Sequence, residues 1–259
     1  MVDMDNISHN RDHQIALVEH TIKDVYRPFL AQQSEILERK ESDWIEQFKQ
    51  SRLQAMEALR KALPSVLQEC PDLLKTEDWC PRISSQYKPR DFRSTLVVRD
   101  PISHVYLVSL ILDPGQGSSP HEHNSPFFVH LYKGSSIEYT FDNNYNETGC
   151  FEHKNGTTTP IHGYGFPEAD LHTVYNPHTL PHDGSPSTEN MTVQLHLYDG
   201  FDHRALEEGS IVSLMPAEKD FPSSVARSLP IEGHIDPVTR DLVRKPCGFK
   251  WAYWRCNSL

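Results

Sequence analysis

The feature that most constrains the fold is a series of short apolar runs between residues 81 and 202. Val, Leu, Tyr and Phe recur in these runs in the pattern of strands buried on one or both faces. Pro, Gly, Ser and Asn separate the runs, and Lys133-Gly134 and Asn155-Gly156 are turn signals. Many short strands with close turns are typical of an antiparallel sandwich or barrel, so we predict a mainly β fold. The runs are STLVV, HVYLVSLIL, FFVHLY, SIEYTF, LHTVYN and TVQLHLY.

The first third of the chain has the periodicity of helices instead. Apolar residues recur there three or four positions apart, among Glu, Lys, Gln and Arg, which are good helix formers. We predict helices at roughly 11–30 and 42–63, with Pro64 and Pro71 closing the region.

These patterns divide the chain into three parts. We predict a helical region at 1–80 packed on the barrel, a β-barrel with the functional site at 81–202, and a C-terminal extension at 203–259. Within the extension, HIDPVTRDLV indicates a small hairpin around Asp236-Pro237. The aromatic and basic FKWAYWRC is interpreted as a strand or cap packed on the barrel.

The composition argues against polyanionic partners. Asp and Glu number 36 against 25 Lys and Arg, a formal charge of −11, so we expect neither nucleic acid nor a membrane surface as a partner. No run approaches the ~20 apolar residues that span a bilayer, and the polar N-terminus lacks the pattern of a secretory signal. We therefore expect a cytoplasmic protein. We also expect a monomer, although the sequence carries no signal for its oligomeric state. The five cysteines include no C-x-x-C pair, so a cysteine zinc site is not indicated.

Two histidines separated by one residue, His121 and His123, follow a glycine-containing turn. On a strand, residues i and i+2 point to the same face, ~6.6 Å apart along the backbone, so both imidazoles can reach one metal ion. A third ligand is needed, and LHTVYN offers His172 in a strand-like segment that a barrel readily brings beside the first pair. The rival ligands are His130, His162, His178 and His182.

The motifs around these histidines resemble those of the cupin superfamily. Gly115, five residues and His121-x-His123, with Gly134 beyond, follow the first cupin motif, and His172-x-x-x-Asn176 follows the end of the second. Over residues 87–202, the segments PGQGSSPHEH, LHTVYN and VQLHLYDGFD are similar to the cysteine dioxygenase branch. The resemblance implies a jelly-roll-like antiparallel cupin barrel in which His121, His123 and His172 bind iron(II). It also implies that a small thiol is oxidised by O2 to its sulfinic acid.

The same resemblance implies roles for further residues. The family holds a substrate carboxylate with an arginine on an upstream strand, and a guanidinium makes two parallel hydrogen bonds to such a group. Arg93 is the best match, with Arg90 and Arg99 as alternatives. The family's histidine and tyrosine near the iron match His196 and Tyr198, which we expect to act in catalysis. Phe127 and Phe128 are expected to line the substrate pocket.

The chain departs from the family at three places. Phe127 or Phe128 stands where animal cysteine dioxygenases have the cysteine that is crosslinked to the active-site tyrosine. Gln194 replaces the serine that precedes the histidine, and Asp91 replaces a tyrosine near the arginine. These departures leave the identity of the thiol open. They also keep two other functions in view: a cupin metalloenzyme acting on a non-thiol, and a non-catalytic cupin that binds a small molecule. Nitrogen ligands suit iron, nickel, copper and zinc alike, so iron is implied by the resemblance alone.

Overall fold

Two antiparallel sheets face each other, and two long helices pack against one of them. The helices are α1 (Met4–Arg39), α2 (Trp44–Gln68) and the short α3 (His203–Glu207). The computed structural model describes residues 4–74, 93–118, 121–142, 146–164, 171–178, 190–215, 226–228, 234–235 and 242–243.

The strands form a four-stranded sheet, a five-stranded sheet and a small hairpin, all with antiparallel pairing. The four-stranded sheet has the order β1 (Arg93–Asp100), β2 (Val105–Leu112), β8 (Thr192–Asp199), β4 (Phe127–Lys133). The five-stranded sheet has the order β6 (Glu147–Lys154), β5 (Ser135–Phe141), β7 (Leu171–Tyr175), β3 (His121–His123), β9 (Ala226–Ser228). The hairpin joins β10 (His234–Ile235) and β11 (Leu242–Val243). The prediction of a mainly β, jelly-roll-like antiparallel fold with an N-terminal helical region is confirmed.

The four-stranded sheet is buried on both faces. Side chains on one face, such as Leu107 and Leu195, join the main core with Ile22 and Leu59 of the helices. Those on the other face, such as Leu110, meet residues of the five-stranded sheet inside the barrel. Because side chains alternate between faces along a strand, every second residue of β2 and β8 points into the barrel.

Both long helices extend beyond their predicted ends. α1 continues to Arg39, and α2 runs through Pro64 to Gln68, so the prediction that Pro64 closes the helical region is wrong. Ile36 packs with aromatic residues of α2 and of the segment after β8, and Leu67 is buried in the main core. This packing offsets the roughly 3 kcal/mol that an internal proline costs a helix. Among the described helices, none is long and apolar enough to cross a lipid bilayer.

The C-terminal part contributes a strand to the barrel. β9 pairs with β3, with Ala226 opposite His123 and Ser228 opposite His121. The pairing of β10 with β11 confirms the predicted hairpin strands, while FKWAYWRC lies outside the described residues.

A buried ion pair ties α2 to the end of β8. The Arg52 guanidinium donates to both carboxylate oxygens of Asp199, at 3.1 and 2.6 Å, and to the carbonyl of Ser103 at 2.7 Å. His203 lies 3.0 Å from the same carboxylate. Burial alone would raise the pKa of Asp199, but the charge of Arg52 and the hydrogen bond of His203 outweigh it and hold this pKa well below its ordinary value. Asp199 directly follows Tyr198, so the pair also fixes the end of the strand that carries the predicted catalytic residues.

We predict that Arg52→Met destabilises the fold by about 3–5 kcal/mol, because the Asp199 charge would remain buried without its partner. Urea-induced unfolding measures the loss. Arg60→Met is the matched control on the same helix: Arg60 pairs with Glu57 near the surface, and its loss should cost no more than about 1 kcal/mol. Equal effects of the two substitutions would contradict the role given to the buried pair.

Candidate metal centre

Three histidines from two neighbouring strands converge inside the barrel. His121 on β3 is the cross-strand partner of His172 on β7, and His123 lies two residues along on the same face. The ring centroids are 4.7 Å apart for His121 and His123, 4.5 Å for His121 and His172, and 5.3 Å for His123 and His172. One ring nitrogen from each lies within 4.8 Å of the others. The three residues predicted as metal ligands are therefore together in space.

The donor atoms fit a metal ion. Nε2 of His123 and Nε2 of His172 lie 3.2 Å apart. Two nitrogens bound to one cation at ~2.0–2.1 Å are separated by about 2.8–3.4 Å at octahedral to tetrahedral angles. Nδ1 of His172 lies 2.6 Å from a carboxylate oxygen, which leaves Nε2 as the nitrogen that faces His123. A metal ion binds a neutral imidazole at such a nitrogen, with the remaining proton on Nδ1.

The carboxylate is Glu138 on β5, which the sequence analysis missed. Its side chain is buried, with Oε1 2.6 Å from Nδ1 of His172 and Oε2 2.9 Å from Nε2 of His153. Burial would raise the pKa of Glu138, but the hydrogen bonds of its histidine neighbours outweigh it and hold this pKa well below its ordinary value. A carboxylate behind a ligating imidazole fixes the tautomer and orientation of the ring. The only local signal was one acidic residue within the apolar run SIEYTF.

A second group of possible ligands lies on the other side of His172. Nδ1 of His162 is buried and 3.4 Å from Oε1 of Glu138, outside hydrogen-bonding geometry. Glu138, His162 and His172 together satisfy the distances of a metal site. The 2.6 Å contact between Glu138 and His172 is shorter than two ligands of one ion allow and fits a charge-assisted hydrogen bond. We therefore assign Glu138 to the support of His172.

The remaining rival histidines are bonded elsewhere. Nδ1 of His130 lies 2.9 Å from the hydroxyl of Thr158, and burial lowers the pKa of His130 to about 4. Nε2 of His178 lies 3.1 Å from the hydroxyl of Ser135. His182 lies outside the described residues.

A hydrogen-bonded chain on β8 runs beside the three histidines. The hydroxyl of Tyr198 lies 3.2 Å from Nδ1 of His196, and Nε2 of His196 lies 3.0 Å from Oε1 of Gln194. The amide of Gln194 in turn donates to the hydroxyl of Ser136 at 2.9 Å. Because an amide oxygen only accepts, His196 carries its proton on Nε2 and accepts the Tyr198 proton at Nδ1. Burial lowers the pKa of His196 to about 3, which keeps the ring neutral.

The two phenylalanines of β4 lie on opposite faces of the sheet. The ring of Phe127 is 4.3 Å from that of His123 and 5.3 Å from that of Tyr198. Phe128 is buried in the main core against the helices. The expectation that both rings line the pocket is therefore corrected: alternation along the strand brings Phe127 alone of the two to the site.

Of the arginine expected to hold a substrate carboxylate, Arg93, the structure describes the backbone. Arg93 begins β1, where its backbone is paired with Ile111, and its side chain lies outside the described part of the chain. Arg90 and Asp91 lie outside it as well. Arg99, the other alternative, is exposed at the end of β1.

Comparison with known proteins gives low similarities to proteins described as cupins or as oxalate decarboxylases. No family model and no curated protein matches the chain. Among solved structures, an oxalate decarboxylase–formate complex from Lactobacillus farciminis is 11% identical over 46% of this chain and 31% of its own, with a TM-score of 0.32. A B. subtilis oxalate decarboxylase is 14% identical over 59% and 33%, with a TM-score of 0.34. An RmlC-like cupin with a double-stranded beta-helix fold from Methanocaldococcus jannaschii is 14% identical over 47% and 93%, with a TM-score of 0.32. The chain spans about a third of the length of the two oxalate decarboxylases.

We predict that Glu138→Gln lowers metal affinity about 10–100-fold, because a glutamine no longer holds the Nδ1 proton of His172 with a charged acceptor. Competition with a chelator measures the affinity. Glu152→Gln on the exposed strand β6 is the control and should leave the affinity unchanged. If both variants bind metal as tightly as the natural protein, Glu138 does not support the site.

Proposed function

We propose that the chain is an iron(II)-dependent thiol dioxygenase that oxidises a small thiol, cysteine or a related compound, to its sulfinic acid. The carrying observation is the convergence of His121, His123 and His172 beside the hydrogen-bonded pair of His196 and Tyr198. In the net reaction both atoms of O2 end on the sulfur and the thiol supplies the electrons, so no further reductant is required.

The donor set of the cluster supports a thiol substrate. His121, His123 and His172 are neutral ligands that leave the charge of a divalent cation uncancelled in the first coordination sphere, which favours an anionic sulfur ligand. When bound, iron(II) supplies the redox chemistry that joins dioxygen to a thiolate sulfur. Imidazole suits several metals, so the choice of iron comes from the resemblance of the motifs.

The residues of β8 and β4 have separate tasks in this proposal. Tyr198 is proposed to donate a hydrogen bond to the thiolate or to oxygen, with His196, 3.2 Å away at Nδ1, orienting its hydroxyl. Burial raises the pKa of Tyr198 well above its ordinary value, which keeps the phenol protonated. Gln194 fixes the His196 tautomer, and the ring of Phe127 excludes water from the side of His123. Arg93 is proposed to hold the carboxylate of the substrate.

A second function follows if Glu138 is itself a ligand. One ligand atom each of Glu138, His162 and His172 lies within 4.8 Å of the others, and a cation there would replace the 2.6 Å hydrogen bond between Glu138 and His172. Two imidazoles and a carboxylate are the ligands of many non-haem iron and zinc enzymes that act on non-thiol substrates. Such an enzyme would bind metal and leave thiols unoxidised.

We expect the purified protein to contain iron and to take up oxygen with at least one of cysteine, 3-mercaptopropionate and cysteamine. Elemental analysis and an oxygen electrode measure the two properties. His172→Ala should lose both the iron and the oxygen uptake. His172 belongs to both groups of possible metal ligands, the one with His121 and His123 and the one with Glu138 and His162. His178→Asn, which affects a histidine bonded to Ser135, should keep both.

Each other outcome selects a different function. Protein without bound metal indicates a non-catalytic binding module, and bound metal without oxygen uptake on any thiol indicates the non-thiol enzyme. A preference for cysteamine, which has no carboxylate, contradicts the role of Arg93.

We predict that Tyr198→Phe lowers kcat about 10²-fold and leaves the iron content unchanged, because the hydroxyl acts on the reacting groups and not on the metal ligands. Steady-state oxygen uptake with the preferred thiol measures the effect. Tyr139→Phe, a buried tyrosine of β5 that stacks on Tyr175, is the control and should retain kcat. A full kcat in the Tyr198 variant would remove Tyr198 from the mechanism.

A further inference from the structure

A small buried cavity lies between the two sheets, beside His172. It offers about 10 Å3 to a water-sized sphere, which is the room that one water molecule needs. Of the eight described residues that line it, two are the apolar Val129 and Val174. The other six carry polar side chains: Glu138, His153, Thr159, His172, Gln194 and His196. A cavity with apolar walls stays dry, whereas a polar one holds a water that finds about two to four hydrogen-bond partners.

The Glu138 carboxylate on one wall has acceptor sites to spare. Its two oxygens offer about four lone-pair sites. Oε1 lies 2.6 Å from Nδ1 of His172, and Oε2 lies 2.9 Å from Nε2 of His153. Nδ1 of His162, at 3.4 Å from Oε1, makes no hydrogen bond to it. About two acceptor sites are therefore left for a donor within the cavity.

The Gln194 amide on the facing sheet has a hydrogen to spare. Its Nε2 carries two hydrogens, and the hydroxyl of Ser136, at 2.9 Å, is the one acceptor that it reaches among the described residues. Its Oε1 lies 3.0 Å from Nε2 of His196. Ser136 and Glu138 stand two residues apart on β5 and share its inner face. The amide and the carboxylate therefore border the same cavity, one as an unused donor and the other as an unused acceptor.

We propose that this cavity binds one water molecule, which donates a hydrogen bond to the Glu138 carboxylate and accepts one from the Gln194 amide. Glu138 supports His172, and Gln194 contacts His196, so the water joins the metal ligands to the hydrogen-bonded chain of β8. The water also positions Gln194. With the hydroxyl of Ser136 and the water both accepting from its nitrogen, the amide oxygen is the end that faces His196. The inference requires neither iron nor a thiol.

The contacts around the carboxylate favour water over a cation in this cavity. At 2.6 and 2.9 Å, the nitrogens of His172 and His153 donate their protons to Glu138, and a ring nitrogen that carries a proton is not a metal ligand. A cation would have to break both hydrogen bonds. Thr159 is already engaged, since its hydroxyl donates to the carbonyl of Pro160 and accepts from the backbone of Val129. A water uses the polar groups as they stand.

The test uses the metal-free protein and Val174→Ile, which adds one methylene group to the wall of the cavity and removes no polar atom. A crystal structure of the natural protein at high resolution should show a water about 2.7–3.2 Å from Nε2 of Gln194 and from a carboxylate oxygen of Glu138. Oxygen-17 magnetic relaxation dispersion counts long-lived buried waters, and Val174→Ile should hold one fewer. Val108→Ile, at a buried valine that does not line the cavity, is the control and should keep the count.

Either of two results overturns the water site. One is a dry cavity in the crystal structure of the natural protein, which decides the question even if Val174→Ile fails to fold. The other is an unchanged water count in a folded Val174→Ile.

The positioning of Gln194 has a spectroscopic readout that a change in stability alone would not move. Nitrogen-15 NMR of the His196 ring should show one tautomer in the natural protein, with the proton on Nε2. Val174→Ile should add the tautomer protonated on Nδ1, because the amide of Gln194 can then turn, and Val108→Ile should not. A single Nε2-protonated ring in Val174→Ile overturns the positioning by water. Oxygen uptake is a separate readout: a protein that holds this water and oxidises no thiol keeps the inference and loses the proposed dioxygenase.

Discussion

The candidate site depends on the burial of both faces of β8. Along this strand Val193, Leu195 and Leu197 pack against the helices, while the residues between them face the barrel interior. Without the helices the outer face would be exposed to water, and the apolar residues would no longer fix which face points inward. Asp199 closes the outer face through its ion pair with Arg52. The polar chain on the inner face is thus held in register by apolar packing on the outer one.

The fold class can be predicted from patterns that extend over a few residues. The ends of the helices and strands cannot, because they depend on packing against distant parts of the chain. Short apolar runs between turn residues predict strands because side chains alternate along a strand. The helix ends differ from the predicted ones because a proline indicates only the local free-energy cost of continuing the helix. The tertiary packing that offsets this cost is not visible in the local sequence. Leu67, beyond Pro64, is buried in a core formed with distant strands. The pairing of β9 with β3 joins residues about a hundred positions apart, and nothing in either segment signals it.

The residues of the candidate site likewise differ in whether a local sequence pattern predicts them. The spacing of the two histidines on β3 predicts that they share a face, but the choice of His172 required the register of β7, which only the resemblance supplied. Alternation along FFVHLY is sufficient to place Phe127 and Phe128 on opposite faces of the strand. The role of Glu138 could not be predicted from the sequence, because a lone acidic residue in a strand usually marks the face exposed to solvent. In the fold it is buried against histidines from three other segments, His153, His162 and His172.

Glu138 changes the electrostatics that three imidazoles alone would give. Its depressed pKa means that it is ionised at neutral pH, behind His172 and out of reach of the Nε2 atoms. With a divalent cation bound, the carboxylate would offset one of its two positive charges through the imidazole and make the ring a stronger donor, while the ligand nitrogens themselves stay neutral. Under the proposed function, the one uncompensated charge that remains would attract a single thiolate.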